Sequence, residues 1–319
     1  MTHERPLSPF VCPRCRVALS VAPERLDCPA CRTVYPVEDG VADFSGGVWF
    51  DEFSGPGELS AAQRLGLENE VAGTVARIRD FYGPLLSRQA GGGRPLRVLD
   101  SGCGNGLSID LLADLGIEAW GNDLSRLRRW QWRERRRRER LAVADTRRLP
   151  FPDGYFDAVV SSGVIEHVGV AERGGEEYAV EPLPDRDGAR IGFLRELLRV
   201  TADAGTLYLD FPNGAFPIDF WHGTRPGGAR LHSPAEGFLP TLGEIRKYVG
   251  SIGDYRVRPL SPHGRLRMKQ VGRHWFGRLF RLPVAALLAL MSVPGFRWLA
   301  GGPLNPYLVL RIEKRSGAT

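Results

Sequence analysis

Long apolar runs are missing from this chain of 319 residues. A membrane-spanning helix needs about 18 or more consecutive apolar residues, and every apolar stretch here is shorter. Residues 1–6 also lack the apolar core of a secretory signal. We therefore expect a cytoplasmic protein without a spanning helix.

A large excess of one charge is missing too. The formal net charge is +6, charged residues make up 25% of the chain, and hydrophobic residues make up 43%. These are ordinary values for a globular protein. The surplus of basic residues allows an anionic partner but does not require one, and the length predicts about two domains.

Cysteine is scarce, and its placement argues against disulfide bonds. Four of the five cysteines form two C-x-x-C pairs, separated by the twelve residues 16–27. Four thiolates at this spacing are typical of a zinc ribbon in a reducing compartment. Four protein ligands leave no open position on the metal, so we predict a structural Zn²⁺ site without catalysis. Its ligands would be Cys12, Cys15, Cys28 and Cys31.

The dinucleotide fingerprint G-x-G-x-x-G is absent, because its last position, counted from Gly102, falls on Leu107. The chain instead has D-x-G-x-G-x-G after a short apolar strand, with Asp100 as the acid and Gly104 and Gly106 as the later glycines. Glycines permit positive φ and a close approach of a ligand to the backbone. The helix that follows offers free N–H groups and the positive end of its dipole.

Three further strands follow, and the first two end in an acid. Residues 117–122 lead to Asp123, whose carboxylate can accept hydrogen bonds from two neighbouring ribose hydroxyls. Residues 141–144 lead to Asp145 and Thr146, and another strand covers 156–162.

These motifs, in this order, resemble the core of the class I S-adenosylmethionine (SAM) methyltransferases. The similarity is to the small-molecule group that includes ubiquinone and menaquinone biosynthesis enzymes, and it covers residues 97–212 well. It implies an α/β fold with a Rossmann-like, seven-stranded sheet, helices on both faces, and SAM as cofactor. In that family the glycine loop holds the methionine part of SAM, the second acid holds the ribose, and the third acid with its neighbour contacts the adenine. The matching positions are Asp100, Gly102, Gly104, Gly106, Asp123, Asp145 and Thr146.

The resemblance divides the chain into a zinc ribbon at 1–46, a helical linker at 47–93 and a SAM-dependent methyltransferase domain at 94–319. The ribbon is similar to the small zinc-ribbon activators of RNA and protein methyltransferases. It is also similar to the ribbon of some ribosomal-RNA guanine methyltransferases. It would either stabilise a segment too small to build its own core, which we favour, or dock a substrate or partner.

Two insertions exceed what this core needs. Residues 168–190 follow the fourth strand and form a candidate lid. Residues 261–305 begin basic and aromatic and become apolar at 282–291. That order is typical of an interfacial membrane segment, so one interpretation is peripheral contact of residues 265–300 with the inner face of the membrane. The other is a hydrophobic cap on the core or in a dimer.

The chemistry needs an acceptor aligned with the activated methyl group and, for a hydroxyl acceptor, a base. Glu166 and His167 follow the fourth strand, and His222 follows the fifth. We predict His167 as the base because its ordinary pKa lies near neutral pH, with His222 in reserve; in relatives the Glu-His pair is often structural. The N-P-P-Y motif of amide- and adenine-methylating relatives is absent, as is a Pro-Cys nucleophile, so we favour O-methylation.

Three functions fit the sequence. The first is a SAM-dependent methyltransferase acting on a small-molecule, sugar or lipid-linked acceptor. The second is an RNA methyltransferase that docks through the ribbon and the arginine-rich segment 126–140, where Trp130 and Trp132 interleave with basic residues. The alternative, which we favour for this segment, is a solvated helix whose arginine side chains cover apolar surface. The third is a non-catalytic SAM-binding scaffold.

Overall fold

The computed structural model describes residues 9–91, 93–173, 179–222, 229–266 and 275–315. The strands are β1 (Ser20–Ala22), β2 (Arg25–Asp27), β3 (Val34–Glu38), β4 (Val41–Asp43), β5 (Arg97–Ser101), β6 (Glu118–Asp123), β7 (Leu141–Val143), β8 (Phe156–Ser162), β9 (Val170–Arg173), β10 (Ala179–Pro182), β11 (Thr201–Pro212), β12 (Ile218–Asp219), β13 (Arg230–Leu231), β14 (Tyr255–Leu260) and β15 (Tyr307–Lys314). The helices are α1 (Ala61–Arg77), α2 (Gly83–Ser87), α3 (Leu107–Asp114), α4 (Arg126–Gln131), α5 (Arg186–Val200), α6 (Leu242–Ile252) and α7 (Trp275–Leu290). A π-helical stretch, Ile78–Tyr82, joins α1 to α2.

The central sheet is open and mostly parallel. Its seven core strands run β7-β6-β5-β8-β11-β15-β14. The first five are parallel, whereas β15 is antiparallel to both of its neighbours, β11 and β14. The prediction of a Rossmann-like, seven-stranded α/β sheet is confirmed.

Apolar residues form these strands because both faces of the sheet are covered. Successive side chains point to opposite faces of a strand. In β5, Leu99 therefore packs into the core on one face, whereas Val98 packs on the other. In β11, Leu207 and Tyr208 divide in the same way.

The N-terminal ribbon joins this sheet, which the sequence patterns do not anticipate. β4 pairs in parallel with the edge strand β7, and the N–H of Phe44 donates to the carbonyl of Val143 at 2.7 Å. Strands β1 to β4 are connected by antiparallel pairing, so the sheet reaches eleven strands.

The ribbon also contributes side chains to the main core. The ring of Phe10 packs against Phe44, Trp120 and Phe151, with centroid separations of 5.3, 5.6 and 5.4 Å. Aromatic pairs at such separations are favourable beyond the area they bury. The ribbon and the central sheet therefore share one hydrophobic core.

The insertion after β8 contains an antiparallel hairpin, β9 with β10, before α5 begins. Residues 174–178 of this predicted lid and residues 267–274 of the basic, aromatic segment lie outside the described residues. Among the helices that are described, none is long and apolar enough alone to cross a membrane. The segments Leu282–Leu290 and Pro294–Gly301, bent by 112° to each other, reach that length and composition only together.

A fully buried carboxylate, Asp210 at the end of β11, connects four other parts of the chain. It accepts hydrogen bonds from the hydroxyls of Tyr82, Ser162 (2.7 Å) and Tyr307 (2.6 Å), and from the guanidinium of Arg265 at 3.0 Å. Burial alone would raise the pKa of Asp210, but Arg265 and the hydroxyl donors hold it below its usual value. The carboxylate is therefore ionised and fully paired.

We predict that Asp210→Ala destabilises the protein by about 3–5 kcal/mol, because Arg265 would remain buried without its counter-charge. The double variant Asp210→Leu/Arg265→Met removes both charges and should cost less than the single variant. Urea unfolding followed by tryptophan fluorescence measures both free energies. Equal losses in the single and double variants would contradict the pairing.

Candidate active site

The glycine turn after β5 adopts the backbone that its sequence predicts. Gly102, Gly104 and Gly106 have φ values of +74°, +57° and +72°. An added Cβ would lie 2.4 Å from Cγ2 of Val164 at Gly102, and 2.9 Å from Cδ1 of Trp132 at Gly106. Both the dihedral angles and the lack of space therefore require glycine.

Asp123 ends β6 next to this turn. Its carboxylate accepts hydrogen bonds from the backbone N–H groups of Gly104, at 3.0 Å, and Leu124, at 2.8 Å. Burial raises the pKa of Asp123, while Arg128 and the backbone donors act in the opposite direction. The structure thus brings together two of the elements that were predicted to hold SAM, the glycine turn for its methionine part and the acid for its ribose.

Helix α1 contacts the turn through one polar face. Glu70, Thr74 and Arg77 are spaced four and three residues apart, which places them on one side of a helix. The side-chain amide of Asn105 donates to Glu70 at 3.3 Å and to Thr74 at 3.4 Å. The spacing of this face is visible in the sequence, but no sequence pattern indicates what the face contacts.

The third residue of that face binds Asp100. The guanidinium of Arg77 donates to the carboxylate of Asp100 at 2.9 Å, and the hydroxyl of Ser108 donates at 2.5 Å. Asp100 is only 1% exposed. Its carboxylate therefore connects α1 with the start of α3 beneath the turn, and its predicted contact with SAM stays a prediction.

Asp145 and Thr146 lie at the end of β7, close to the ends of β5 and β6. Asp145 accepts hydrogen bonds from the backbone N–H of Arg147 at 2.8 Å and from its guanidinium at 2.7 Å. The hydroxyl of Thr146 lies 3.0 Å from that of Ser101 and 3.2 Å from the amide nitrogen of Asn122. Thr146 is thus positioned by both neighbouring strands, whereas Asp145 is engaged by its own turn.

The three predicted catalytic residues meet at the same edge of the sheet. Glu166 and His167 lie in a short turn after β8, His222 follows β12, and the two imidazole centroids are 5.2 Å apart. A carboxylate holds Nδ1 of each ring: Glu172 at 2.5 Å from His167, and Asp219 at 3.0 Å from His222. The sequence patterns indicate neither of these two pairings.

The pKa values of three ionisable groups in this cluster are shifted from their ordinary values. Burial lowers the pKa of His167, but the carboxylates of Glu172 and Glu166 outweigh it, and the net shift is upward. Burial would raise the pKa of Asp219, but His222 and backbone donors lower it to about 2. Burial raises the pKa of Glu166, which is 1% exposed. Such shifts cluster at functional sites.

The arginine-rich segment supports the glycine turn. Trp132 is fully buried, and its indole N–H donates to the carbonyl of Gly104 at 2.8 Å. Arg128 binds Glu70 at 2.7 Å, and another arginine of the segment, Arg136, pairs with an acid of α3. Trp132 and Arg128 thus contact other parts of the chain, whereas Arg136 pairs with its acid at the exposed surface.

The four ribbon cysteines converge on one point. The Sγ–Sγ distances are 3.4 Å for Cys12–Cys15, 3.6 Å for Cys12–Cys31 and 3.3 Å for Cys15–Cys28, and all four thiols are free of disulfides. Four sulfurs about 2.3 Å from a tetrahedral Zn²⁺ ion lie about 3.8 Å apart. The cluster is therefore compatible with structural zinc.

Hydroxyl groups surround these thiols. Tyr35 lies 3.1 Å from Sγ of Cys12, and Thr33 lies 3.1 Å from Sγ of Cys31. The Thr33 hydroxyl and backbone N–H lower the pKa of Cys31 to about 6. A zinc ligand must be a thiolate, so donors of this kind favour metal binding.

Comparison with known proteins agrees with this geometry. Residues 99–209 match the family described as a methyltransferase domain. A "probable S-adenosylmethionine-dependent methyltransferase" of Mycobacterium tuberculosis is 32% identical over 116 residues, which cover 36% of this chain and 35% of that protein. A demethylmenaquinone methyltransferase of Beutenbergia cavernae is 35% identical over 147 residues, covering 46% of this chain and 52% of that one.

The matches to these curated relatives thus span about half of their length or less. Among solved structures, a TehB-like SAM-dependent methyltransferase of Corynebacterium glutamicum is similar with a TM-score of 0.44 and 16% identity, covering 80% of this chain and all of that one. The matched domain contains the glycine turn, Asp123 and Thr146. Residues 99–209 therefore match a methyltransferase domain, and the Mycobacterium tuberculosis protein that they resemble is named as SAM-dependent.

We predict that Asp123→Ala weakens SAM binding about 10- to 100-fold, because a hydrogen-bonding carboxylate at the ribose position is lost. Isothermal titration calorimetry with SAM measures the affinity. Asp203→Ala is the matched control, since Asp203 is an exposed acid that pairs with Lys314 on the surface. An unchanged affinity for Asp123→Ala would exclude the assigned contact.

We also predict that the purified chain contains one zinc ion and that Cys28→Ser loses it. Because β4 pairs with β7, loss of the metal should lower the melting temperature of the whole domain by several degrees. Metal analysis and differential scanning calorimetry give the two values. Zinc content near one in the variant, or an unchanged melting temperature, would count against this site.

Proposed function

We propose that the chain transfers the methyl group of SAM to a hydroxyl oxygen of a small-molecule, sugar or lipid-linked acceptor. The observation that most supports this proposal is the pair of imidazoles of His167 and His222, each held by a carboxylate, beside the buried Glu166. This group lies beyond the carboxyl end of β8, next to the glycine turn after β5. Ligands of open α/β sheets bind at this edge.

The chemistry of SAM explains why such a group would be useful. The methyl group is already activated on the sulfonium, so the protein must align the acceptor and remove its proton. A hydroxyl is a poor nucleophile while it keeps its proton. Imidazoles fixed by Glu172 and Asp219 would meet the acceptor in a set orientation, which supports O-methylation.

The acceptor's class is supported by the exposed apolar surface around 282–304. Leu282 and Trp298 are 79% and 70% exposed, and Val293 and Phe296 are each nearly half exposed. Large exposed apolar groups that cluster are typical of contact surfaces. They favour an acceptor with an apolar part, and we propose that the segment contacts the membrane peripherally.

A groove adjoins this surface. It has a volume of about 960 Å³, and it lies between Phe81, the start of α6, the end of β14 and Trp298. Arg246 and Arg297 also line it. Basic side chains beside exposed apolar ones match an interface with anionic lipid, or an acceptor that combines an apolar body with an acidic group.

The competing RNA function is less well supported by the contacts. Trp132, which could have stacked on a base, is buried against the glycine turn, and Arg128 and Arg136 are paired with acids of the chain. The ribbon packs its aromatic residues into the shared core. These contacts support a stabilising role for the ribbon and the arginine-rich segment.

The test uses the purified chain with methyl-labelled SAM and, separately, a lipid extract, a small-metabolite extract and total RNA. We expect label in the lipid or metabolite fraction, at a rate reduced at least about tenfold in Asp123→Ala, since SAM binding is weakened there. Asp203→Ala should keep the wild-type rate. Mild base treatment and mass spectrometry of the labelled product then identify the methylated atom.

Label that appears only in RNA would replace the proposal with the docking function. SAM binding without label in any fraction would favour the scaffold function. Label on nitrogen or carbon would keep the methyltransferase and refute O-methylation.

A further inference from the structure

We infer that Glu166, His167 and His222 form a binding site for a divalent transition-metal ion, separate from the zinc ribbon. The positions and burial of the three side chains, and the carboxylates that hold the two rings, indicate this site. Its part in the reaction rests on the proposed function, because the site lies where the acceptor would meet the methyl group.

The first observation is the distance between the ligand atoms. One ligand atom from each of the three residues lies within 4.8 Å of the other two. Two ligands of one ion, each about 2.0–2.2 Å from it, lie about 3–4 Å apart. The three atoms are therefore already close to coordination distance. Two histidines and one carboxylate are a recurrent ligand set for divalent transition metals.

The second observation is a buried carboxylate oxygen that lacks a partner. Oε2 of Glu166 is inaccessible and has no hydrogen-bond partner among the described residues. The whole residue is only 1% exposed. An uncompensated charge is costly to bury, so such oxygens are normally paired or coordinate a metal. An ion between the three residues would supply the missing partner.

The third observation concerns the second nitrogen of each ring. Histidines that bind metals usually donate their other N–H to a carboxylate, which fixes the ring and assigns the ligand nitrogen. Glu172 holds Nδ1 of His167 and Asp219 holds Nδ1 of His222. This pairing assigns Nε2 of each ring as the ligand atom.

Three protein ligands leave positions on the ion open for an acceptor. An ion held here would bind the acceptor oxygen and lower the pKa of its hydroxyl. The proton would leave to solvent, the oxygen lone pair would form the new O–C bond, and the S–C bond of SAM would break to give S-adenosylhomocysteine. The site would thus select acceptors that offer an oxygen ligand.

The test is a titration of the zinc-loaded full chain with Mn²⁺, followed by the electron paramagnetic resonance signal of the free ion. Mn²⁺ prefers nitrogen and oxygen ligands, whereas the thiolates of the ribbon select zinc. We expect one Mn²⁺ ion per chain. Glu166→Gln and His167→Ala should each weaken binding at least about tenfold, and Asp219→Asn, which changes a positioning residue, about 10- to 100-fold.

Two matched variants control for charge and ring loss. Glu68 and His263 are exposed residues outside the site, so Glu68→Gln and His263→Ala should bind Mn²⁺ like the wild type. SAM affinity, measured on every variant, shows that the fold is kept. Absence of saturable Mn²⁺ binding, or binding that Glu166→Gln leaves unchanged, would overturn the inference.

The metal site and the proposed function can fail separately. Saturable Mn²⁺ binding that depends on Glu166, without methyl transfer to any extract, would support the site and refute the proposed function. Methyl transfer by a chain that binds no Mn²⁺ would support the function and overturn the site. Transfer by Glu166→Gln at the wild-type rate would overturn the catalytic part.

Discussion

Parallel pairing of five strands is the constraint on which the rest of the structure depends. Because β5, β6, β7, β8 and β11 run in one direction, the residues that follow them collect at one edge. The glycine turn, Asp123, Thr146, His167 and Asp210 are far apart in sequence and close in space for this reason. The turns at this edge are held in place by contacts with other elements, and several of these contacts are buried ion pairs. Asp100 with Arg77 and Asp210 with Arg265 hold elements that the strands alone would leave unattached.

Much of this edge is predictable from sequence because its signals are local. A glycine with positive φ, an acid after an apolar run and the order of such runs are all properties of short segments, and the family resemblance that they carry implies the seven-stranded sheet. The helix face formed by Glu70, Thr74 and Arg77 is different. Its spacing is visible, but helix packing alone decides that it covers the glycine turn. The same holds for β4, since nothing in the sequence of Val41–Asp43 indicates that this strand pairs with β7.

Composition alone left two interpretations of the arginine-rich segment open for a related reason. Interleaved arginine and tryptophan fit a nucleic-acid surface, yet Trp132 is among the most deeply buried side chains of the protein. Long arginine side chains can cover apolar surface while their charged ends reach an acid nearby. The carboxylates at His167 and His222 were also hidden from sequence reasoning. A histidine and a carboxylate five or three residues apart are common in sequences. Only the folded turns show that these two pairs are in hydrogen-bond contact.

The addition of β4 to the edge of the sheet has a consequence for the behaviour of the chain in the cell. An edge strand presents unpaired N–H and C=O groups that can template pairing with another molecule. Here the ribbon covers one side of β7, and four thiolates positioned for one metal ion shape the ribbon. A nascent chain made during zinc shortage would leave that edge bare. Metal supply would then affect not only how stable the folded chain is but also how much of it escapes aggregation.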